Sequence, residues 1–281
     1  MNAGRGIKRV DSQRIAYRRS GTEGPPVVLL HGGGLDDATV SWRYVIDDLA
    51  EDHQVYAPNW PGYGNSDFGS DHSIERYIEL LAGFLDSLGL EQVRLAGISM
   101  GGGAALGYAL QYTDRVSELV LVDSYGLGPV VPGGTLWKSA ALVPGSNSAT
   151  LAAMGVSEGA ARMGLGAVCA DGGSVPADFV ADVRRRAGQP AVGRAFEAFQ
   201  RSEIGLDGSA RTDYRDALAE LSVPTLLLHG AEDPLFPAQW SVDAARQIPE
   251  SSVHVLAECG HWPPRECPER VVDLIREFLA D

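Results

Sequence analysis

Short apolar runs alternate with stretches of helical spacing along most of this chain. Residues 26–30 are continuously apolar and end at a glycine cluster, which is typical of a strand buried on both faces. Residues 73–88 carry apolar side chains at helical intervals, and a second buried strand pattern at 93–97 precedes a helical stretch at 100–111. Because strands that alternate with helices form βαβ units, we predict an α/β protein with a mostly parallel sheet.

The alternation stops between residues 126 and 215, a stretch rich in glycine and alanine without strong strand patterns. The strand pattern resumes at residues 223–228, and an amphipathic helical pattern follows near the end of the chain. We therefore predict a core made of residues 1–125 and 216–281, with residues 126–215 inserted as a helical cap. The predicted cap helices are residues 157–164, 178–187 and 191–201.

The charge balance disfavours several classes of function. The 281 residues include 23 Lys and Arg against 37 Asp and Glu, a formal net charge of −14. Such a chain repels the phosphate backbone of nucleic acids and anionic membrane surfaces. It has no apolar run long enough to span a bilayer, and residues 1–19 lack the apolar centre of a signal peptide. We expect a cytoplasmic protein that binds a small-molecule substrate but no nucleic acid and no membrane. The sequence is also compatible with a homodimer.

The three cysteines, Cys169, Cys259 and Cys267, are few, odd in number and without the spacing of metal ligands. We therefore expect neither a disulfide framework nor a zinc site. A nucleotide cofactor is disfavoured because the glycine cluster at residues 32–34 has neither the lysine nor the glycine spacing of phosphate-binding loops. No cofactor and no metal are predicted.

The strongest local motif is Gly-Ile-Ser-Met-Gly at residues 97–101, with Ser99 at its centre. It follows a predicted strand and opens a predicted helix, so the serine lies at a sharp turn where the flanking glycines avoid a steric clash. The hydroxyl then stands clear of the sheet, beside the free N–H groups of the helix N-terminus. We predict that Ser99 is a nucleophile, and an ordinary N-cap serine is the alternative.

A serine nucleophile needs a base that a third group orients. His261 follows the last predicted strand and therefore lies at the sheet edge that carries Ser99. Asp233 is the favoured acid, because it follows the preceding strand and completes the chain order Ser, Asp, His. Asp123, at the end of another strand, and Glu232 are its rivals.

His31 precedes three glycines, Gly32, Gly33 and Gly34, directly after the first buried strand. Glycine lets the backbone approach a ligand closely and turn its N–H groups toward it. The tetrahedral oxyanion of acyl transfer needs two such donors. We expect the N–H groups of Met100 and Gly33 to supply them, with Gly34 as the alternative to Gly33. Gly32 and Gly34 are expected to touch the substrate.

Five motifs, in this order and spacing, resemble the α/β-hydrolase superfamily over nearly the whole chain. The resemblance implies an eight-stranded, mostly parallel sheet flanked by helices, with a cap inserted after the sixth strand. It also implies that Ser99, Asp233 and His261 form a catalytic triad. A serine nucleophile argues against epoxide hydrolases and haloalkane dehalogenases, which carry aspartate at that position. The motifs are His-Gly-Gly-Gly at 31–34, Trp-Pro-Gly-Tyr-Gly-Asn-Ser at 60–66, Gly-Ile-Ser-Met-Gly-Gly at 97–102, Gly-Ala-Glu-Asp at 230–233 and Gly-His-Trp at 260–262.

Two reactions of the serine members compete. Hydrolysis of a small carboxylic ester through an acyl-enzyme is the first expectation. The alternative is carbon–carbon bond hydrolysis of vinylogous diketones, because the glycine loop and the Cys-Gly-His-Trp segment are similar to those of meta-cleavage-product hydrolases. Two departures favour the ester. Ile98 stands where those hydrolases have asparagine, and none of Arg184, Arg185 and Arg186 aligns clearly with their substrate-binding arginine.

Trp262 is expected to bind substrate, and four apolar cap residues are predicted to join it in an acyl pocket, with a place in the core as the alternative. These four are Trp137, Met154, Met163 and Phe196. A third class of function is a non-catalytic binder that keeps the fold without the chemistry. Covalent labelling by a fluorophosphonate separates an activated serine from an inert one.

Overall fold

The computed structural model describes residues 4–280, which contain one eight-stranded sheet. The strands are β1 (Gly4–Val10), β2 (Gln13–Ser20), β3 (Pro26–Leu30), β4 (Gln54–Pro58), β5 (Val93–Ile98), β6 (Val116–Val122), β7 (Thr225–Gly230) and β8 (Ser251–Leu256). Their order across the sheet is β1-β2-β4-β3-β5-β6-β7-β8. The first two pairings are antiparallel and the remaining five are parallel. The predicted eight-stranded, mostly parallel sheet is confirmed.

Helices flank this sheet and connect its parallel strands. In the described part of the chain they are α1 (Ala38–Leu49), α2 (Ile74–Leu88), α3 (Met100–Gln111), α4 (Gly134–Ala141), α5 (Ser146–Gly155), α6 (Glu158–Leu165), α7 (Ala177–Ala187), α8 (Pro190–Glu203), α9 (Ala238–Ala245), α10 (Pro263–Glu266) and α11 (Pro268–Leu279). Short 3₁₀ helices, Thr113–Arg115 and Arg215–Glu220, precede β6 and β7. Helix α2 contacts α3, and α1 contacts α10 and α11.

Burial on both faces explains why the sequences of the central strands are continuous apolar runs. Every residue of β7 is buried, and so are residues 27–30 of β3. A strand covered by helices on both faces has no solvent side to alternate with, so both sets of side chains are apolar. Strand β7 begins at Thr225 rather than at the predicted residue 223, because Pro224 has no N–H for the ladder.

Three elements of the predicted core segments, β1, α1 and the short helix α10, were not predicted. Strand β1 lies at the edge of the sheet and most of its residues are exposed or half-buried, so it lacks a clear apolar alternation. The start of helix α1 carries a helix-capping residue from which the helix could have been predicted. The Asp37 carboxylate caps it by accepting hydrogen bonds from the N–H groups of Thr39 and Val40, both at 2.8 Å.

Five helices, α4 to α8, lie between β6 and β7, within the segment predicted to form the cap. Helices α6, α7 and α8 correspond to the predicted ones, whereas α4 and α5 were not predicted. Both are preceded by a left-handed glycine, Gly133 and Gly145, rather than by a side chain that caps the first turn. Among the described residues, no helix combines the length and the apolar character of a membrane span.

The structure corrects the expectation for the cysteines. Cys259 and Cys267 form a disulfide, with their Cα atoms 6.5 Å apart. Cys259 lies between β8 and α10 and Cys267 lies between α10 and α11, so two of the three cysteines pair although their number is odd. Cys169 is a free, buried thiol.

Candidate active site

Loops after five neighbouring parallel strands meet at one edge of the sheet. Because parallel strands place all their carboxyl ends at the same edge, residues far apart in the sequence come together there. The loops after β3, β5, β6, β7 and β8 carry Gly32 to Gly34, Ser99, Asp123, Asp233 and His261, in that order.

Ser99 occupies the sharp turn between β5 and α3. Its backbone has φ 53° and ψ −120°, a strained conformation for a residue with a side chain. A Cβ atom on Gly97 would lie 2.3 Å from the carbonyl oxygen of Gly101, and one on Gly101 would lie 2.4 Å from that of Leu30. Only glycine fits at both positions, so the motif at residues 97–101 forms the predicted turn.

His261 and Asp233 are hydrogen-bonded to each other, with His261 Nδ1 at 2.8 Å from Asp233 Oδ2. Asp233 Oδ1 accepts hydrogen bonds from the N–H groups of Leu235 (2.7 Å) and Phe236 (3.2 Å), which orient the carboxylate. The backbone N–H of His261 donates to the carbonyl of Val168 at 2.7 Å, so a residue of the predicted cap segment also holds the histidine loop.

The ionisation of Asp233 decides which imidazole nitrogen is free. Burial alone would raise the pKa of Asp233, but His261 and His229 beside it hold the pKa well below its usual value. Asp233 is therefore a carboxylate at neutral pH, and His261 Nδ1 carries the proton that it donates. The other ring nitrogen, Nε2, then has a free lone pair.

The rivals of Asp233 lie elsewhere. Asp123 Oδ1 accepts a hydrogen bond from the N–H of Gly230 at 2.9 Å and lies 3.4 Å from His229 Nε2, not against His261. Glu232 is exposed. The structure therefore brings Asp233, rather than either rival, to His261.

His229 is a neighbour of this site that the sequence analysis did not single out. Its Nε2 lies 3.3 Å from Asp233 Oδ2, and its Nδ1 lies 2.7 Å from the Ser241 hydroxyl. Asp123, His229 and Asp233 have ligand-type atoms within 4.8 Å of one another, which is the spacing of a metal site. Because Asp233 is engaged by His261 and two backbone N–H groups, we interpret the cluster as a hydrogen-bonded network that supports Asp233.

The expected oxyanion donors border the serine. Met100 is the first residue of α3, so its N–H has no acceptor in a preceding helical turn, and the Ser99 side chain does not cap it. The N–H of Gly33 donates no hydrogen bond to another residue of the described range 4–280. Both N–H groups are therefore free to bind an anion.

His31 holds the glycine loop in place. The N–H of Trp60 donates to His31 Nε2 at 3.0 Å, so Nδ1 carries the proton and donates to the carbonyl of Gly32 at 2.8 Å. The Trp60 indole N–H donates back to the carbonyl of His31 at 2.9 Å. Burial lowers the pKa of His31 to about 3, which keeps the ring neutral.

A cleft of about 730 Å³ opens over this edge of the sheet, and Ser99 and His261 both line it. The five apolar residues predicted to contact substrate are all in its wall, and so are the three glycines of the loop. Met163 is 78% exposed and therefore lies at the rim. The predicted residues in the wall are Trp137, Met154, Met163, Phe196, Trp262, Gly32, Gly33 and Gly34.

No lysine or arginine lines this cleft in the described part of the chain. Arg184 and Arg185 are exposed on α7, and Arg186 forms an ion pair with Asp37. None of the three lines the cleft, so none is placed to bind a substrate carboxylate there. The acidic side chain in the wall is Asp36, which the sequence analysis missed because nothing in the loop after Gly34 distinguishes it from a helix cap.

A model of the alpha/beta hydrolase family matches residues 27–274. The chain is 32% identical to a 2-hydroxymuconate semialdehyde hydrolase from Pseudomonas sp. (strain CF600), over 92% of this chain and 88% of that protein. A solved meta-cleavage product hydrolase from Pseudomonas fluorescens IP01 is 26% identical, with a TM-score of 0.81 over 99% of this chain and 98% of that one. A thermophilic esterase from Thermogutta terrifontis is 28% identical, with a TM-score of 0.76 over 100% and 98% of the two chains.

These similarities cover nearly the whole chain and agree with the strand order and the serine turn. The predicted resemblance is confirmed: the protein is a hydrolase that belongs to the alpha/beta hydrolase family.

Proposed function

We propose that this protein hydrolyses a bond next to a carbonyl carbon, with Ser99 as nucleophile, His261 as base and Asp233 as the residue that orients the base. One observation carries the proposal. His261, which is hydrogen-bonded to Asp233, lines the same cleft as a serine held in a strained turn. Strain of this kind persists where the surrounding structure holds a functional group in place.

The proposed mechanism has two halves. Ser99 Oγ attacks the carbonyl carbon, His261 Nε2 takes the hydroxyl proton, and the N–H groups of Met100 and Gly33 stabilise the oxyanion. His261 then gives that proton to the leaving group. A water molecule, activated by His261, next attacks the acyl-enzyme and releases a carboxylic acid. Asp233 stabilises the imidazolium in both halves.

We propose carbon–carbon bond hydrolysis of a vinylogous diketone as the first candidate for the bond cleaved. The support is the similarity to the 2-hydroxymuconate semialdehyde hydrolase, at 32% identity over 92% of this chain. It favours this reaction over the ester hydrolysis expected first from the sequence. In a vinylogous diketone, the negative charge that develops on the leaving carbon is delocalised over the conjugated system. His261 therefore protonates a stabilised carbanion.

Ester hydrolysis is the second candidate, because the cleft wall is largely apolar and holds no lysine or arginine within the described residues. A substrate with its own carboxylate, as the name hydroxymuconate denotes, would find no cationic partner there. The apolar Ile98 in the wall beside Ser99 also suits a neutral substrate. The esterase from Thermogutta terrifontis, at 28% identity, adds support.

The experiment compares a vinylogous diketone with a series of nitrophenyl esters of increasing acyl length, in wild type and in Ser99→Ala. We expect the diketone to have the higher kcat/KM, and Ser99→Ala to lower kcat by about a thousandfold or more. A higher kcat/KM for the best ester selects the second candidate. Retained turnover in Ser99→Ala contradicts the assignment of Ser99 as the nucleophile. A wild type that is folded, inactive on both substrates and unlabelled by a fluorophosphonate is a binder.

A further inference from the structure

Asp36 is a buried acid in the wall of the cleft that the proposed mechanism does not use. It is 1% exposed. Its Oδ2 accepts hydrogen bonds from the Gly32 N–H and the Ser41 hydroxyl, both at 2.6 Å, and its Oδ1 accepts one from the Asp37 N–H at 2.7 Å. The Ser41 hydroxyl in turn accepts a hydrogen bond from the Trp262 indole at 2.8 Å. The carboxyl group therefore has one defined position.

That position is beside the proposed nucleophile. A Cβ atom on Gly32 would lie 3.1 Å from Asp36 Oδ2 and 3.2 Å from Ser99 Cβ. The two side chains therefore border the same small space, which the glycine leaves open. An oxygen atom of a ligand at Ser99 is close enough to Asp36 for a charge on either to affect the other.

No cation is paired with Asp36 among the described residues. The neighbouring Asp37 is paired with Arg186, so Arg186 is not free to compensate a charge on Asp36. His31 is neutral, because burial lowers its pKa to about 3. The nearby Tyr63 hydroxyl is neutral as well, because burial raises its pKa. The Tyr125 hydroxyl, which also lines the cleft, is neutral because burial raises its pKa. A negative charge on Asp36 is therefore uncompensated, and the other titratable side chain in the described wall of the cleft is His261.

The charge of Asp36 changes within the range of pH in which most enzymes work. Burial raises the pKa of Asp36 to about 7. The hydrogen bonds from Ser41 and Gly32 favour the ionised form and the charge of Asp37 opposes it, but burial is the largest influence. The space beside Ser99 therefore becomes more negative as the pH rises.

We propose that Asp36 is a specificity-determining residue that disfavours carboxylates at the Ser99 end of the cleft. It excludes substrates that carry an anion at that end and speeds release of the carboxylic acid formed there. The inference rests on the proposed function only in that hydrolysis leaves a carboxylate at Ser99, and both candidate reactions do so. Two negative charges in a partly dry cleft repel each other strongly enough to change affinity at least tenfold.

The test measures binding without turnover. In Ser99→Ala, the affinities for octanoate and octanamide are titrated through the fluorescence of the cleft tryptophans, between about pH 5.5 and 8.5. We expect the preference for octanamide over octanoate to rise at least tenfold across this range. Adding Asp36→Asn should remove most of the rise. His261 is present in both variants, so the difference between them isolates Asp36.

Two further variants separate a charge from a structural role. Ser41→Ala removes a hydrogen bond to the ionised carboxyl, so we expect the midpoint of the rise to move to higher pH. Glu232→Gln, added to Ser99→Ala, removes an exposed acid that does not line the cleft. The preference for octanamide should then rise with pH as much as it does in Ser99→Ala alone. A residue that merely holds the loop in place would not move a midpoint.

A preference that does not change with pH in Ser99→Ala overturns the proposal, and so does a full rise in the variant with Asp36→Asn. Where circular dichroism shows that Asp36→Asn is unfolded, the midpoint shift in Ser41→Ala decides, and an unmoved midpoint overturns the proposal. Failure of the proposed function looks different. In that case the wild type is not labelled by a fluorophosphonate, whatever the binding data show.

Discussion

Phe196 of α8 stands against Gly33 of the loop after β3. A Cβ atom on Gly33 would lie 2.9 Å from Cε2 of the Phe196 ring. The contact joins a helix between β6 and β7 to one of the two expected oxyanion donors. The ring therefore limits what residue 33 can be, and residue 33 limits where the ring can lie in the cleft wall.

Gly33→Ala is expected to lower kcat/KM by about tenfold or more, because the added methyl group pushes either the ring or the Gly33 N–H out of place. Phe196→Leu leaves room for the methyl group, so the double variant should recover part of the loss. Steady-state kinetics of the two single variants and the double variant measure this coupling. Strictly additive losses would show that the ring and the loop do not interact.

Asp233→Asn is expected to lower kcat by about a thousandfold to ten-thousandfold, because an amide at this position favours the wrong tautomer of His261. Glu232→Gln is the matched control, since Glu232 is the preceding residue and is exposed. Its kcat should stay within about twofold of the wild type. Because the pKa of Asp233 lies well below its usual value, the acid limb of the wild-type pH profile should not follow that carboxylate. Substantial activity in Asp233→Asn would contradict the proposal that Asp233 orients His261.

Asp123 is expected to weaken the fold as the pH rises. Burial, and then the charge of Asp233, raise its pKa well above the usual value, and its Oδ2 has no hydrogen-bond partner among the described residues. A raised carboxyl pKa means that the folded state holds the proton more tightly than the unfolded state. This stabilisation is complete below the unfolded pKa of about 3.9 and is lost as the pH rises toward the folded pKa.

Asp123→Asn is uncharged at every pH, so it should raise Tm at about pH 8 by a few degrees and flatten the dependence of Tm on pH. Thermal melts of both proteins between about pH 5 and 8 measure the effect. Parallel curves for the two proteins would mean that Asp123 titrates alike in the folded and unfolded states.

Arg265 joins the segment that follows His261 to helix α7. It is fully buried, and its guanidinium donates hydrogen bonds to Asp182 (3.0 Å) and Asp178 (2.9 Å). Arg265→Met is expected to cost about 3–5 kcal/mol of the free energy of unfolding, because Asp182 stays buried without its main cation. Arg43→Met is the matched control, since the half-exposed Arg43 pairs with the same two acids. Its cost should be about 1 kcal/mol or less.

The cost of Arg265→Met should shrink in acid. Burial alone would raise the pKa of Asp182, but Arg265 holds the pKa below its usual value. A lowered carboxyl pKa contributes stability that is present above the unfolded pKa and is lost as the pH falls through the folded pKa. Denaturant unfolding of both proteins at about pH 7 and pH 3 tests this. An equal cost at both pH values would assign the effect to packing rather than to charge.

The serine turn could be predicted because it depends on neighbours in the chain. A buried strand, two glycines around Ser99 and a helix start all lie within a few residues, and the clash at Gly97 and Gly101 is with backbone of this same turn or of the adjacent β3. His261 could be predicted for a similar reason, since it follows the last strand. The edge strand β1 could not, because solvent on most of its surface leaves no apolar pattern.

Contacts between distant loops depend on strand order and on the path of each loop, so the sequence favoured Asp233 as the partner of His261 but left Asp123 and Glu232 as rivals. Strands β6 and β7 are neighbours, so Asp123 and Asp233 lie within 4.8 Å of His229, and only the path of the β8 loop decides that His261 meets Asp233. The pairing of Cys259 with Cys267 and the turn of Asp36 toward Ser99 are of the same kind.

The sequence by itself determined the strands, helices and serine turn whose patterns are local, since backbone sterics and apolar periodicity act between near neighbours. The tertiary structure decided between Asp233 and its rivals as the acid that contacts His261. It also showed that no arginine of residues 4–280 lines the cleft and that Asp36 borders the proposed nucleophile. The physical reason is that hydrogen bonds and charges act over a few ångströms in space, and such distances follow from how the sheet and its loops pack rather than from spacing along the chain.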